Sequence, residues 1–239
     1  MRIVALTQKG PNKKENEDRI IVGKTILDDG FLCSNVDEGI IAIADGVGGN
    51  NAGAAASNYV ASRLSKLMEV SIEQFESIND ELIAISEKNE SQKGMATTLS
   101  GFLIRESKSQ LFSIGNTRVY LVQSGKYLKQ LTKDDTTLNY LLDTGQLQLE
   151  NIDKFKRKNE ITACFGGGTK KLFKLKINEI VNIDSPILMT SDGIHDHLSV
   201  DEMENILSKY GISKETCEQM ISESRAKGSM DDASIILGE

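Results

Sequence analysis

The stretch from Gly39 to Ala56, GIIAIADGVGGNNAGAAA, constrains this chain more than any other. Ile40 to Ala44 are five consecutive apolar residues, small or β-branched, as in a strand buried on both faces, and the run stops at Asp45. Gly46, Gly48 and Gly49 then predict a turn closed to ordinary side chains, with backbone carbonyls free to face whatever Asp45 faces, and a small-residue helix starting near Gly53. A strand that delivers a carboxylate beside a glycine turn suits a hard cation, because carboxylate and carbonyl oxygens reach it together. On this stretch alone, a plain strand-turn-helix with a solvated Asp45 fits equally well.

The pattern elsewhere places this unit. Ile3–Thr7 and Arg19–Val22 read as strands flanking a charged loop that contains Lys13, Glu17 and Asp18. Ala52–Met68 and Ile72–Asn89 carry apolar residues at helical spacing and predict one helical layer. From Thr97, the runs TTLSGFLIR, SQLFSIGN, TRVYLVQS and KYLKQLT alternate and are separated by polar or glycine turns, which predicts one antiparallel meander. Residues 132–168 lose this pattern and read as a surface insert with a basic run at Lys154, Lys156, Arg157 and Lys158. Such a run is ordinarily a solvated face, with contact to a phosphorylated substrate as the other reading. Pro186–Thr190 is a strand ending at Ser191-Asp192-Gly193, Asp201–Tyr210 and Lys214–Lys227 read as helices, and Ala233–Leu237 as a closing strand entered through Asp231-Asp232.

Composition excludes several functions. With 239 residues the chain can bury a full core, and residues 1–239 are expected to form a single domain. A net charge of −7 opposes binding to nucleic acid or anionic lipid. Cys33, Cys164 and Cys217 lack CxxC spacing, which suits a reducing compartment, and no apolar run approaches the ~20 residues of a membrane span. A cytoplasmic, monomeric protein is expected. No cysteine precedes an arginine by the six residues of a thiolate phosphatase.

Three strand ends carry an acid at a tight turn, Asp45-Gly46, Asp192-Gly193 and Asp231-Asp232, with Glu17-Asp18 as a fourth acidic pair. If they converge, mutual repulsion raises their pKa values unless divalent cations neutralise them, and all-oxygen donors favour Mg²⁺ or Mn²⁺ over zinc. Spacing alone does not establish convergence.

In chain order, NED (16–18), DGVGG (45–49), ATTLSG (96–101), GNTRVYL (115–121), LTKDDT (131–136), SDGIHDHLS (191–199) and DDASIIL (231–237) resemble the motifs of the metal-dependent serine/threonine protein phosphatases of the PPM, or PP2C, family, bacterial type. The resemblance implies an α+β fold, a four-layer α-β-β-α sandwich of two antiparallel sheets flanked by helices, with the 132–168 insert as a flap. It implies hydrolysis of phosphoserine or phosphothreonine in a protein by a water bridging two Mn²⁺ or Mg²⁺ ions, in opposition to a serine/threonine kinase. Asp45 would bridge both ions, Glu17 and the Gly46 carbonyl would complete one site, and Asp192 and Asp231 would hold the other. Asp18 and Asp232 would orient ligands. Lys13 stands where the family has a phosphate-binding arginine, and loses the bidentate fork. Asn116 replaces an aspartate that, with Asp192 and Asp196, is associated with a third metal in the family. His195 and His197 flank Asp196 in an HDH sequence that packed histidines explain better than metal ligation, with His195 as a candidate proton donor to the leaving group. The competing reading is a non-catalytic phosphoprotein-binding or scaffold domain with the same fold.

Overall fold

The computed structural model describes residues 1–48, 52–106, 108–180, 183 and 185–239. Gly49, the last glycine of the predicted turn, lies outside them. The chain opens with β1 (Arg2–Gln8), β2 (Asp18–Val22), β3 (Thr25–Leu27), β4 (Gly30–Asn35) and β5 (Gly39–Val47), followed by α1 (Ala52–Leu64) and α2 (Ile72–Lys88). Next come β6 (Ala96–Thr97), β7 (Leu99–Ile104), β8 (Ser109–Ile114), β9 (Arg118–Gln123), β10 (Tyr127–Gln130) and α3 (Thr137–Asp143). The last third holds β11 (Phe165–Gly166), β12 (Lys176–Ile180), β13 (Ile187–Thr190), α4 (Asp192–His195), α5 (Val200–Tyr210), α6 (Lys214–Ala226) and β14 (Ala233–Gly238).

Two antiparallel sheets form the centre. One has the order β10-β9-β13-β14-β1-β4, and the other runs β11-β6-β5-β7-β8-β12 with β2 and β3 added beside β5. Strand periodicity sorts their side chains into three cores. On β5, Ile40, Ala42 and Ala44 face α1 and α2, where they meet Val60, Leu64, Phe75 and Leu82. Ile41 and Ile43 face the other way and pack against Ile3, Ala5, Met189 and Ile236 of the opposite sheet. The far side of that sheet, through Val4, Leu188, Ile235 and Leu237, is covered by α5 and α6 with Met203, Leu207 and Met220. The result is the expected α-β-β-α sandwich.

Three expectations are corrected. The four alternating runs from Thr97 do not form one meander: β7 and β8 are a hairpin of one sheet, β9 and β10 of the other. The chain crosses between sheets at Gly115, whose φ of +96° is left-handed and whose Cβ would lie 2.6 Å from Thr98. Alternation reports a strand's two faces but not which sheet it joins. Helix α1 ends at Leu64, short of Met68, because its bonding tightens to i→i+3 pairs, Lys66 N to Arg63 O (3.3 Å) and Leu67 N to Leu64 O (2.9 Å). The strand through Asp45 continues to Val47, so Gly46 lies in the strand and not in a turn.

Helix starts follow their caps. Ser71 accepts from Gln74 N, Ser213 from Thr216 N, and Ser199 and Glu202 form a capping box. No helix among the described residues is long and apolar enough to cross a membrane. Phe75, fully buried on α2, has its ring 5.3 Å from that of Phe112 and 6.0 Å from that of Phe165, tying the helical layer to the sheet. Phe75→Ala is expected to cost about 3–5 kcal/mol, read as a lower midpoint in denaturant unfolding with little change in slope.

Candidate metal centre at the polar end of the sheet interface

The apolar seam between the sheets turns polar at one end, and strand parity explains how. Asp45 falls on the face of β5 that carries Ile41 and Ile43, and Asp18 on the face of β2 that carries Ile20 and Val22. The two aspartates are cross-strand partners in the β2–β5 ladder. From the other sheet, Ser234 and Asp232 continue the face of Ile236, and Ser191 that of Met189. Ser234 N donates to Ser191 Oγ (2.9 Å), Thr7 and Ser234 share a hydroxyl hydrogen bond of 2.7 Å, and Asn16 Nδ2 donates to Thr7 (2.8 Å).

Close backbone approach requires the glycines here. A Cβ on Gly193 would lie 1.9 Å from the Asp232 carbonyl oxygen, so glycine lets the turn bearing Asp192 press against Asp232. A Cβ on Gly46 would meet Gly53 O at 2.3 Å and Glu17 O at 2.7 Å. Most telling is Gly53: the point where its Cβ would stand lies 2.6 Å from Glu17 Oε1 and 2.7 Å from Gly46 O. The bare Cα leaves a cradle in which one carboxylate and one carbonyl oxygen converge. The Asp45 carbonyl is occupied otherwise, accepting from Thr98 N (2.8 Å) and Thr97 Oγ1 (2.9 Å).

Asp18, Asp45 and Asp192 all have raised pKa values. Burial pushes Asp18 up to about 7, the charges of Asp232 and Asp192 adding to it and the Ser234 and Ser191 hydroxyls opposing, and its Oδ2 is buried without a hydrogen-bond partner. Asp45 is raised well above the carboxylate range by burial and then by Asp192, Asp18 and Asp231. Asp192 is raised by burial and Asp231, with Asn116 Nδ2 donating to its Oδ2 at 3.1 Å in partial relief. An aspartate at position 116 could not make that donation.

Lys13 supplies the local positive charge. Its Nζ lies 3.0 Å from Glu17 Oε2, 2.5 Å from Asp231 Oδ1 and 3.0 Å from Asp232 Oδ2. Burial works against its charge, but Asp231, then Glu17 and Asp232, outweigh burial and hold the ammonium above the usual lysine value. Asp232, 2% exposed, also accepts from Gly10 N (2.8 Å) and Glu17 N (2.7 Å), so it orients the loop that presents Lys13 and Glu17. Among the described residues no three His, Cys, Asp or Glu side chains are placed to hold a metal ion as they stand; the lysine ammonium stands among the acids as a cation in its own right. An all-oxygen donor set, an unpartnered buried carboxylate oxygen and the Gly53 cradle fit a hard divalent cation.

His195 does not join the centre as a donor of protons. It is buried, its Nδ1 bonded to Thr190 Oγ1 (2.8 Å), and burial with nearby Arg118 holds its pKa well below 6.5, so the ring is neutral. Asp196 sits one helical turn beyond Asp192, its backbone N bonded to the Asp192 carbonyl (3.0 Å) and its carboxylate to Asn159. Sequence reasoning missed Thr7, Ser191, Ser234 and the structural need for Gly53. The serines sit inside the quoted motifs, and strand parity with Met189 and Ile236 was the available signal.

Comparison with known proteins identifies the family. The family profile for protein phosphatase 2C matches residues 18–229, and the chain belongs to that family. The serine/threonine phosphatase Stp of Listeria monocytogenes serotype 4b is 28% identical over 247 residues, covering 98% of this chain and 93% of the relative. Protein phosphatase PhpP of Streptococcus pneumoniae is 25% identical over 249 residues, covering 99% and 96%. The crystal structure of the Mycobacterium tuberculosis serine/threonine phosphatase PstP shares the fold with a TM-score of 0.81 at 24% identity, covering 100% of this chain and 99% of that one. A second PstP catalytic-domain structure, in complex with two manganese ions, has a TM-score of 0.75.

Two outcomes follow from the geometry. Gly53→Ala would gain up to about 1 kcal/mol if helix propensity alone decided. Because the new methyl lands on Glu17 and Gly46, divalent-cation binding measured by calorimetry should instead weaken at least tenfold, with no gain in melting temperature. The second concerns acid–base linkage. A folded-state pKa near 7 for Asp18, against 3.8 ordinarily, means that the folded protein holds a proton the unfolded chain has released. The metal-free protein should therefore lose stability as pH rises from about 4 to 7. Thermal unfolding in EDTA across that range should show the fall, and Asp18→Asn should make it shallower, Asp45 and Asp192 supplying the remainder.

Proposed function

We propose that this protein is a metal-dependent serine/threonine protein phosphatase acting on phosphoserine and phosphothreonine in protein substrates, with two Mn²⁺ or Mg²⁺ ions as cofactors. The convergence of Glu17, Asp18, Asp45, Asp192, Asp231 and Asp232 at the polar end of the sheet interface carries this reading. Asp45, Glu17 and the Gly46 carbonyl would hold one cation, and Asp45, Asp192 and Asp231 the other. When bound, such a pair of cations neutralises charge on a phosphoryl group and lowers the pKa of attacking water. PstP, which shares the fold, carries two manganese ions in one of its structures.

The remaining roles belong to this chain's own residues. Asp232 holds the 10–17 loop by three hydrogen bonds and so sets where Glu17 and Lys13 stand. Asn116 steadies Asp192 through the donation from its Nδ2, and Asp18, the cross-strand partner of Asp45, is assigned to orient the ligands. Lys13 is assigned to the substrate phosphate as a point charge. Cations that neutralise Glu17 and Asp231 would remove two of the three carboxylates now holding its ammonium. With His195 neutral and buried, the leaving alkoxide takes its proton from solvent. The expected insert of residues 132–168 ends sooner than its sequence suggests, because Ala163 and Phe165 are buried in the core and β11 pairs with β6, and residues 132–162 serve as a flap beside the centre. We assign the enzyme to the cytoplasm, as a monomer opposing a serine/threonine kinase.

Hydrolysis of p-nitrophenyl phosphate and of a phosphothreonine peptide, with Mn²⁺, Mg²⁺ or EDTA, tests the proposal. Turnover should require the metal and fall at least about 100-fold in Asp192→Asn. Lys13→Arg, which restores the bidentate fork, should lower KM for the peptide. A folded protein inert with every metal would overturn the assignment and favour a phosphoprotein-binding role.

A further inference from the structure

Beside the carboxylate cluster lies an open groove of 560 Å³ whose lining includes Lys156, Arg157, Lys158, Glu160, His195 and Asp196. Its inner end is joined to the centre, because Asp196 belongs to the same short helical turn as Asp192. We propose that this groove docks an anionic side chain, a carboxylate or a second phosphate, that flanks the phosphorylated residue of the substrate. The inference rests on the phosphatase reading and adds a substrate preference to it.

Charge placement carries the inference. The whole chain has net charge −7, and the centre itself is crowded with carboxylates, so an acidic substrate segment is repelled over most of the approach. The groove reverses that sign locally, with three cationic side chains against two carboxylates. Both carboxylates are already engaged: Glu160 with Arg157 and Thr137, and Asp196 with Asn159. Lys156 is exposed and makes no ion pair with any described residue. Among the described residues Arg157 pairs with Glu160, both at the surface with side chains 68% and 43% exposed, a pair weak enough to exchange for an incoming anion.

Geometry limits which substrate residue is read. Asp192 and Asp196 are separated by about one helical turn, roughly 5 Å along the axis. An extended peptide advances about 3.3 Å per residue. The anion docked in the groove should therefore lie within roughly two or three residues of the scissile phosphate.

Four phosphothreonine peptides test this, differing only in whether the flanking residues are alanine, glutamate, a second phosphoserine, or lysine. Two readouts are taken: kcat/KM with Mn²⁺, and the affinity of fluorescein-labelled peptides for the EDTA-treated protein by anisotropy. In the wild type the glutamate and second-phosphate peptides should be preferred over alanine by roughly fivefold, and lysine disfavoured. The preference should shrink as salt is raised. Comparing the glutamate and phosphoserine arms identifies which anion the groove takes. K156A/R157A should abolish the preference, and K156E/R157E should invert it toward the lysine peptide, with thermal unfolding as the check on folding. Equal values for all four peptides, or a preference that survives the charge reversal, would overturn the proposal. If no peptide is hydrolysed yet the binding preference appears and inverts, the groove assignment stands and the phosphatase reading falls.

Discussion

Burial of several carboxylates in one another's company is the constraint to which the rest of this molecule answers. Asp18, Asp45 and Asp192 are each pushed toward the protonated form, and the shift of Asp18 to about 7 corresponds to about 4 kcal/mol. That is as much as deleting a well-packed core aromatic ring costs. Isolated strands could not hold such groups together. They are held because each is anchored to a rigid element whose apolar neighbours are fully buried, Asp45 after Ile43 and Asp18 before Ile20. Lys13, Asn116 and the hydroxyls of Ser191 and Ser234 each offset part of the cost of burying these charges.

The same parity that builds the cores builds the centre. A strand alternates its side chains, so once Ile41 and Ile43 face the opposite sheet, Asp45 faces it too. Asp18 and Asp232 arrive by the same count on their own strands. The polar end is therefore the continuation of the hydrophobic seam, with the same backbone geometry and a different chemistry. The glycines mark where the separate elements press together: Gly193 on Asp232, Gly46 and Gly53 on each other and on Glu17.

Much of this was legible in the sequence, and the remainder was hidden for definite reasons. Long, strongly patterned elements such as the run at Ile40–Ala44 and the helix from Ile72 declare themselves through periodicity. The acidic residues were identifiable because each sits at a strand end beside a turn, and the resemblance to a known family supplied their convergence. The strands β3, β4 and β12 carried no readable signal: β4 is an edge strand whose side chains alternate between half-buried and exposed, and β12 is a lysine-bearing edge paired only to β8. The division of residues 97–132 between two sheets was invisible because alternation is identical in either sheet. The role of Gly53 was invisible because it depends on Glu17 and Gly46, distant in sequence and adjacent only after folding. The neutral state of His195 depends likewise on its burial and on the charge of Arg118, distant in sequence.

The acidic groups come from both sheets: Glu17, Asp18 and Asp45 lead into or lie on one, and Asp192, Asp231 and Asp232 adjoin the other. The side chains between the sheets, among them Ile43, Met189 and Ile236, thus act as a spacer that sets the gap between opposing donors. A methyl group added to or removed from that layer changes the thickness of the sandwich, and with it the size of cation the opposing oxygens can grip. On the metal-dependent reading proposed above, ion preference would be set partly by residues that never touch an ion.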